Sequence, residues 1–272
     1  MNNPIVSIAI KEWRDAIRNR WLIGITLIFA LMAIGISWFG GVASGQASIP
    51  PLDATMASLA SLAVLVLPLI ALLMGYDSFV GEQEQGTLLL LLSYPIARYQ
   101  LVVGKFVGQA LVLSLATLLG FGSAAIALSW FTEIENLRQH FSQFILSAMI
   151  LGWVFIALSH VISLVSKNKG RAIALAIMTW FLFTLVYDLA LMAILISSEG
   201  SLTQGSLTWL LSSNPTDAFR MINLFSFEGA GTGLLSSLNR SGLSVVQLYL
   251  SLGVWLAILL TTSTLIFNKK SI

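Results

Sequence analysis

Cysteine is absent from this chain of 272 residues, and charged side chains are scarce. The absence of cysteine excludes disulfides, thiolate metal sites and cysteine nucleophiles. Charged residues make up only 10% of the chain, whereas a typical soluble domain has about 25%. The formal net charge is only +2, which gives no indication of a nucleic-acid partner.

Ligands for metal ions are also scarce. The two histidines are His140, at an expected membrane edge, and His160, inside an apolar segment. A lone histidine in a helix is usually structural, and no two methionines have the spacing Met-x-x-Met or Met-x-x-x-Met. Methionine thioethers can bind Cu(I), but they also fill gaps in apolar packing. We therefore predict that the chain has no metal site and no cofactor.

The sequence motifs of catalytic sites are missing as well. A phosphate-binding loop requires Ser or Thr after Gly-Lys, whereas Gly104-Lys105 is followed by Phe106. An intramembrane hydrolase needs a nucleophile paired with a base, but Ser159 and His160 are adjacent and therefore point to different helix faces. We predict that the chain is not an enzyme and has no catalytic residue.

Apolar residues are abundant, at 57% of the chain, and the mean hydropathy is +0.90. A soluble fold of this size could not bury so much apolar surface, so the bilayer is the expected solvent. A membrane-spanning helix needs about 20 mostly apolar residues. Six segments qualify: 21–40, 55–76, 106–131, 141–165, 172–197 and 247–267. The sequence predicts an all-α membrane protein with six transmembrane helices in a single domain, 1–272.

Basic residues are distributed unevenly between the connecting segments. Eleven of the 14 Lys and Arg residues lie before the first predicted span, between the second and third, between the fourth and fifth, or after the sixth. The other three are Arg138, Arg220 and Arg240. Because short loops rich in Lys and Arg stay in the cytoplasm, both termini are predicted to be cytoplasmic.

Residues 1–20 predict an amphipathic helix at the membrane surface. Asn3 is a suitable cap, and Pro4 suits the first helical position. Apolar and charged side chains fall on opposite faces: Val6, Ile10, Trp13 and Ile17 against Lys11, Arg14, Asp15 and Arg18. A helix of this kind lies in the membrane interface. The sequence leaves open whether it is only a topology anchor or has a mechanical role.

Residues 77–105 form a polar segment between the second and third predicted spans. Gly86 can end one helix in a left-handed turn, and the hydroxyl of Thr87 can cap the next helix by accepting from a backbone N–H. Residues 88–92 are too short to span a membrane, and Pro95 would end their helix. We predict a short helix along the membrane surface, although an ordinary amphipathic connector would show the same pattern.

Residues 198–246 are the longest predicted connection, on the periplasmic side. Short apolar pieces at 207–211 and 219–225 lie on either side of the turn-forming pair Asn214-Pro215. We expect short or re-entrant helices that cover the outer mouth of the bundle. Non-helical backbone at membrane depth has to be buried in protein or line a cavity.

Asp188 is the one acidic residue inside a predicted span. An intramembrane carboxylate is costly and is a functional candidate by default. Two interpretations stay open. Asp188 is either a structural partner of Tyr187 or of a neighbouring helix, or a group that takes part in the mechanism.

The segment 81–106, GEQEQGTLLLLLSYPIARYQLVVGKF, resembles the cytoplasmic loop of ABC-2 type permeases. In that loop, acidic residues, a Gly-Thr pair, a Leu run, a Pro and an Arg precede a Gly-Lys. Three further segments, KEWRDAIRNRW, VASGQ and NPTDAFRMINL, are similar to the permeases of nitrous oxide reductase maturation systems. The similarity covers essentially the whole chain.

This resemblance implies a homodimer of six-span subunits with a type V exporter-like fold in the bacterial inner membrane, each subunit paired with a cytoplasmic ATPase. It implies a cytoplasmic coupling helix that docks on the ATPase, with the matching positions Glu82, Glu84, Gly86, Thr87, Pro95 and Arg98. It also implies a periplasmic β-helical partner, which we expect to depend on Phe219, Arg220 and Phe225. The implied function is assembly of the copper–sulfur centre of nitrous oxide reductase, with a copper chaperone involved indirectly.

Two other functions are carried out by multi-pass membrane proteins of this size. A secondary transporter would favour inverted repeats and several buried charges, and the sequence shows neither. A permease that exports a lipid, a drug or another small molecule would have the same architecture, and it is the alternative that the sequence leaves open.

Overall fold

The computed structural model describes residues 3–43, 52–129, 137–198, 204–225 and 244–270, and the regular structure in these ranges is helical throughout. The first half contains α1 (Pro4–Arg18), α2 (Trp21–Ala43), α3 (Leu52–Gly75), α4 (Val80–Glu84), α5 (Thr87–Leu92) and α6 (Arg98–Ser129). The second half contains α7 (Leu137–Val165), α8 (Lys169–Phe181), a π-helical turn (Leu182–Val186), α9 (Tyr187–Ser197), α10 (Gln204–Ser213), α11 (Pro215–Phe225) and α12 (Val245–Lys269).

Within the described ranges, five helical stretches are long and apolar enough to cross a membrane: Thr55–Glu84, Arg98–Ser129, Arg138–Val165, Lys169–Ser197 and Val245–Lys269. The pair formed by α1 and α2 meets the same criterion as a possible sixth, with a bend of 65° between its halves. We number the spans one to six as α2, α3, α6, α7, α8 with α9, and α12. The prediction of an all-helical, multi-pass membrane protein is confirmed.

Helix α1 begins as the sequence predicts, because the side chain of Asn3 accepts a hydrogen bond from the backbone N–H of Ile5 at 3.1 Å. The bend after α1 passes through Arg20, whose φ of 58° lies in the left-handed region. Val6 and Ile10 are exposed on this helix. Exposed apolar side chains beside basic ones suit a helix that lies in the membrane interface.

Two glycines of α6 allow α1 to lie directly on it. A Cβ atom at Gly108 would lie 2.6 Å from the Cβ of Glu12, and one at Gly104 would lie 2.8 Å from the Cβ of Ile8. Such contacts are closer than carbon atoms tolerate. The spacing Gly104-x-x-x-Gly108 is a small-residue seam of the kind that brings membrane helices into close contact.

We expect Gly108→Leu to separate α1 from α6, because the new side chain has no room beside Glu12. Overpacking of a tight interface costs about 1–3 kcal/mol. The thermal unfolding temperature of the detergent-purified protein should therefore fall by several degrees. Gly122→Leu is the matched control, because a Cβ at Gly122 meets nothing within 4 Å. Equal shifts in the two variants would contradict this account of the seam.

Aromatic rings join the spans near the end of the bundle opposite α1. Phe29 of span one stacks on Phe121 of span three, with ring centroids 5.0 Å apart. Phe121 meets Phe144 of span four edge to face at 4.9 Å, and Phe144 lies 5.9 Å from Phe219 of α11. The apolar core therefore extends through these ring contacts from span one to α11, and α11 is part of the bundle.

Helices α10 and α11 form a hairpin that enters the bundle from the end opposite α1. The turn at Asn214 donates a hydrogen bond to the carbonyl of Phe183, which lies at the centre of span five. The indole N–H of Trp255, near the centre of span six, donates to the carbonyl of Ser213 at 3.2 Å. The turn therefore reaches the middle of the spans. Residues 199–203 and 226–243 of the predicted 198–246 connection lie outside the described residues.

Candidate functional sites

The segments that hold most of the basic residues meet at one end of the bundle, which we call the basic end. The ammonium group of Lys11 lies 3.0 Å from a carboxylate oxygen of Glu82, and Lys169 pairs with Asp77 at 3.0 Å. Lys270 donates to the carbonyl of Leu164 at 2.9 Å. The N-terminal helix, the 77–105 segment, the start of span five and the end of span six are thus neighbours.

The 77–105 segment folds into two short helices joined by a left-handed turn at Gly86, whose φ is 72°. The expected short helix is α5, which covers Thr87–Leu92. The expected capping role of Thr87 is wrong, because the cap residue of α5 is Gly86 and no side chain caps this helix. The Thr87 hydroxyl instead donates to the carbonyl of Glu82 at 3.2 Å. Pro95 is exposed in the turn between α5 and α6.

The carboxylate of Glu82 points into the protein. One of its oxygens lies 2.8 Å from the ammonium group of Lys105, and the same ammonium lies 3.2 Å from Glu12 of α1. Only 2% of the Lys105 side chain is exposed. Burial raises the pKa of Glu12, but the Lys105 and Lys11 ammonium groups outweigh burial and hold that pKa below its ordinary value. Glu82 is therefore an internal ion-pair partner, and it does not face a docking protein.

Gln109 extends this network towards spans two and four. Its amide nitrogen donates to Glu12 at 3.2 Å and to the Ser78 hydroxyl at 2.7 Å. Its amide oxygen lies 3.0 Å from Nε2 of His160, which is fully buried. Because the amide nitrogen already donates twice, its oxygen is the acceptor and His160 carries its proton on Nε2. His160 thus has the structural role expected of a lone histidine in a helix.

The first turn of α4 is attached to span four. The backbone N–H groups of Phe79 and Val80 both donate to the hydroxyl oxygen of Ser163, each at 3.0 Å. The Phe79 ring meets the His160 ring edge to face, with centroids 5.3 Å apart. The start of α4 is therefore attached to the end of span four.

Arg98 caps the end of span six. One guanidinium nitrogen donates to the carbonyls of Phe267 at 2.6 Å, Asn268 at 3.1 Å and Lys270 at 2.9 Å. These carbonyls belong to the last turn of α12, where a cation also interacts favourably with the helix dipole. Like Glu82, Arg98 makes its polar contacts within the chain. The structure therefore does not support it as a main contact with the ATPase subunit.

A different set of side chains forms the exposed surface of this segment, which we call the α5 surface. Leu89 and Leu90 are 58% and 67% exposed, and Tyr94 is 65% exposed. Glu84 is also exposed and accepts a hydrogen bond from the backbone N–H of Lys169 at 2.9 Å. Large apolar side chains exposed together indicate an interaction site. The uniform Leu run gave no sequence signal to separate Leu89 and Leu90 from buried Leu88.

A second charged site lies between α11 and span five, where Arg220 of α11 pairs with two aspartates. Its guanidinium makes two hydrogen bonds to Asp188, at 2.9 and 3.1 Å, and one to Asp217 at 3.1 Å. Asp217 is buried and also accepts from Asn214 at 3.0 Å. Asp188 thus has a partner on a neighbouring helix, as one of its two sequence interpretations required. The sequence analysis singled out Asn214 only as a turn residue, and nothing in the sequence pointed to Asp217.

The π-helical turn of span five receives the tip of the hairpin. The carbonyl of Phe183 accepts from the Asn214 amide at 3.0 Å and from the Thr216 hydroxyl at 3.1 Å. A π-helical turn shifts the backbone hydrogen bonds, and such turns are frequent at functional sites. The hydroxyl of Tyr187 also donates to the carbonyl of Leu210 at 2.7 Å. Span five and the hairpin are therefore joined at membrane depth.

The three residues expected to contact a periplasmic partner instead make contacts within this chain. Phe219 is fully buried and packs on Phe144, so its side chain cannot touch another protein. Arg220 is turned towards Asp188 and Asp217, and Phe225 is partly buried against the core. The sequence predicts short or re-entrant helices here, and the partner contact was expected only from the family resemblance. The interval Phe219–Phe225 lies in the amphipathic helix α11, which packs against the spans.

Among the described residues, no group of three or more His, Asp or Glu side chains is arranged to hold a metal ion. The two charged clusters described above, around Lys105 and around Arg220, are instead networks of ion pairs in which the positive groups lie beside carboxylates. These networks can hold neighbouring helices in register.

Comparison with known proteins agrees with this architecture. The sequence family described as ABC-2 family transporter protein matches residues 6–272. The chain is 47% identical over 273 residues to the probable ABC transporter permease protein NosY of Stutzerimonas stutzeri, covering 98% of this chain and 99% of that protein. It is 47% identical over 274 residues to the protein of the same name from Pseudomonas aeruginosa, covering 99% and 100%. The chain therefore belongs to the ABC-2 family of transporter proteins and is an ABC transporter permease subunit.

Proposed function

We propose that this permease couples ATP hydrolysis by a separate cytoplasmic subunit to the periplasmic assembly of the copper–sulfur centre of nitrous oxide reductase. The observation that carries the proposal is the 47% identity, over nearly the full length, to two permeases named NosY. That name denotes the permease of nitrous oxide reductase maturation systems. The segments that resemble those permeases are distributed along the whole chain.

The basic end is assigned to the cytoplasm of a bacterial cell, with the permease in the inner membrane. Eleven of the 14 Lys and Arg residues support this orientation. Both ends of the described chain lie at the basic end, since Lys11 contacts Glu82 and Lys270 contacts Leu164. The hairpin of α10 and α11 then opens towards the periplasm.

The ATPase subunit docks on the α5 surface in this proposal. Leu89, Leu90 and Tyr94 supply apolar contacts, and Glu84 at the rim supplies a carboxylate for charge-assisted hydrogen bonds. Gly86 and Thr87 shape the turn that presents α5, and Pro95 ends the segment. Of the positions matched to the family loop, Glu82 and Arg98 hold the segment on the bundle.

The complex has two copies of the permease, two ATPase subunits and a periplasmic β-helical protein at the outer end, with a copper chaperone acting on that protein. The chain has no cysteine, and its methionines lack the paired spacing of a copper path. Copper ligands are therefore expected on the partners. The permease conveys ATP-driven motion across the membrane.

Deletion of this permease tests the proposal. The deletion strain should produce and export nitrous oxide reductase that lacks its catalytic copper–sulfur centre, because that centre is assembled outside the membrane. The measurement is the metal content and absorption spectrum of the purified reductase, compared with a strain that carries the permease on a plasmid. A fully loaded, active reductase from the deletion strain would refute the assigned function, while the permease class would stand.

A further inference from the structure

We propose that Lys105 is a positioning residue that makes the α4–α5 segment, α1 and span three move as one unit. Its ammonium group, with the carboxylates of Glu12 and Glu82 and the amide of Gln109, forms what we call the Lys105 junction. The inference rests on the proposed function only in naming the ATPase as the source of the motion. The junction itself is a property of this chain.

The junction joins elements that are far apart in the sequence. Glu12 belongs to α1, Glu82 to α4, and Lys105 and Gln109 to span three. Lys105 is 93 residues from Glu12 and 23 residues from Glu82 along the chain. Through Gln109, the network reaches Ser78 after span two and His160 in span four.

The charges of the junction balance locally. Lys105 and Lys11 face Glu12 and Glu82, so two positive groups meet two negative groups. Lys105 also lies over the Phe79 ring, with its ammonium 5.5 Å from the ring centroid. A lysine that is 98% buried is tolerated only with such partners. The site therefore depends on Glu12 and Glu82 together.

Directional bonds are what distinguish this junction from the apolar packing around it. Apolar surfaces can slide over one another with little change in free energy, whereas a charge-assisted hydrogen bond is lost once its atoms separate beyond about 3.5 Å. The bonds at 2.8 and 3.2 Å from Lys105 thus tie α4 to α1 at one relative position. A displacement of α4 has to move α1 and span three or break these bonds.

A direct physical connection links the junction to the α5 surface. The Thr87 hydroxyl, at the first residue of α5, donates to the backbone carbonyl of Glu82. Glu82 in turn accepts from Lys105 and from Lys11. A displacement of α5 at Leu89 or Leu90 is therefore passed to α1 and span three through Thr87 and Glu82.

The test uses spin labels, for which a cysteine-free chain is well suited. Cysteines placed at exposed Arg14 and Gln85 report the distance between α1 and the loop, and cysteines at Arg14 and Tyr99 report α1 against span three. The key variant is Glu12→Gln/Glu82→Gln/Lys105→Met, which removes the ionic groups with little change in shape. No buried charge is left unpaired in it, so the protein is expected to fold.

In the purified permease, the triple variant should broaden the 14–85 distance distribution at least twofold. The 14–99 distribution should stay narrow, because the Gly104 and Gly108 seam still holds α1 on span three. Asp77→Asn/Lys169→Met is the matched control, since it removes a more exposed ion pair at the same end and should leave both distributions unchanged. A 14–85 distribution identical to that of the unaltered permease would overturn the proposal.

A second measurement separates positioning from mere stability. In cells, the triple variant should still co-purify with the ATPase subunit, because the α5 surface is intact, but reductase copper-centre content should fall at least tenfold. Normal copper-centre content with the triple variant would also overturn the proposal. If deletion of the unaltered permease has no effect on the reductase, the proposed function fails, and the spin-label distances still decide whether the junction exists.

Discussion

Replacing Arg220 with methionine should detach the outer half of span five from the re-entrant hairpin. The change leaves Asp188 and the buried Asp217 facing each other without the guanidinium that pairs with both. Removal of one partner from a buried ion pair costs about 3–5 kcal/mol. Since Asp188 and Arg220 are about one-third exposed, the lower end, about 3 kcal/mol, is expected. The unfolding temperature of the detergent-purified permease should fall by roughly 6–12 °C.

Two further variants test whether the loss of stability comes from the unpaired carboxylates. Asp188→Asn/Asp217→Asn/Arg220→Met removes the ions together and should recover most of the lost stability, because no unpaired carboxylate is left. Arg138→Met removes an exposed arginine at the start of span four and should leave the unfolding temperature unchanged. If Arg220→Met unfolds at the temperature of the unaltered protein, the ion cluster does not hold the hairpin in place.

The Arg220 ion cluster is important for the position of span five, because few other contacts hold this helix on the bundle. In the most apolar stretch of span five only 6% of the residues are buried, against 67% in span four. Helix α9 has no buried residue among Tyr187–Ser197. The outer half of span five is therefore held to the bundle mainly by the Asp188–Arg220 pair and by the hydrogen bonds of Tyr187.

The spans could be predicted from the sequence because their signal is local. Each predicted segment is mostly apolar over about 20 residues, and in a bilayer such a segment has few alternatives to a helix. The helix cap at Asn3 and the left-handed turn at Gly86 were predicted for the same reason, since each depends on one residue type and its immediate neighbours. The π-helical turn has no comparable local signal in 182–186.

The polar contacts could not be predicted, because their partners are distant in the chain. Glu82 and Arg98 lie in a polar segment, which is the usual signature of an exposed loop. Their actual partners are Lys105 with Lys11 and the last carbonyls of α12, which only the folded bundle brings near. The same holds for Asp188, whose partner Arg220 is 32 residues away. The sequence located the polar segments between the spans but did not show which of their side chains face outward.

Leu89→Asp/Leu90→Asp should abolish binding of the proposed ATPase subunit while the permease still inserts and folds. Both side chains are more than half exposed, so the change removes no core contact. Apolar anchors at the centre of an interface are each worth about 2 kcal/mol when truncated, and two of them correspond to roughly a 1,000-fold loss of affinity. The measurement is the dissociation constant between the purified ATPase and the permease in detergent or nanodiscs.

Two further variants separate the effect of lost apolar contact from the effect of introduced charge. Leu89→Ala/Leu90→Ala removes only apolar surface and should weaken ATPase binding less than the aspartate pair does. Glu84→Gln removes one carboxylate at the rim and should weaken ATPase binding by threefold or less. Leu88 is the internal control, because it is buried beneath the α5 surface and its truncation to Ala should lower stability before it lowers affinity. Unchanged ATPase binding by the aspartate pair would place the dock elsewhere on the basic end.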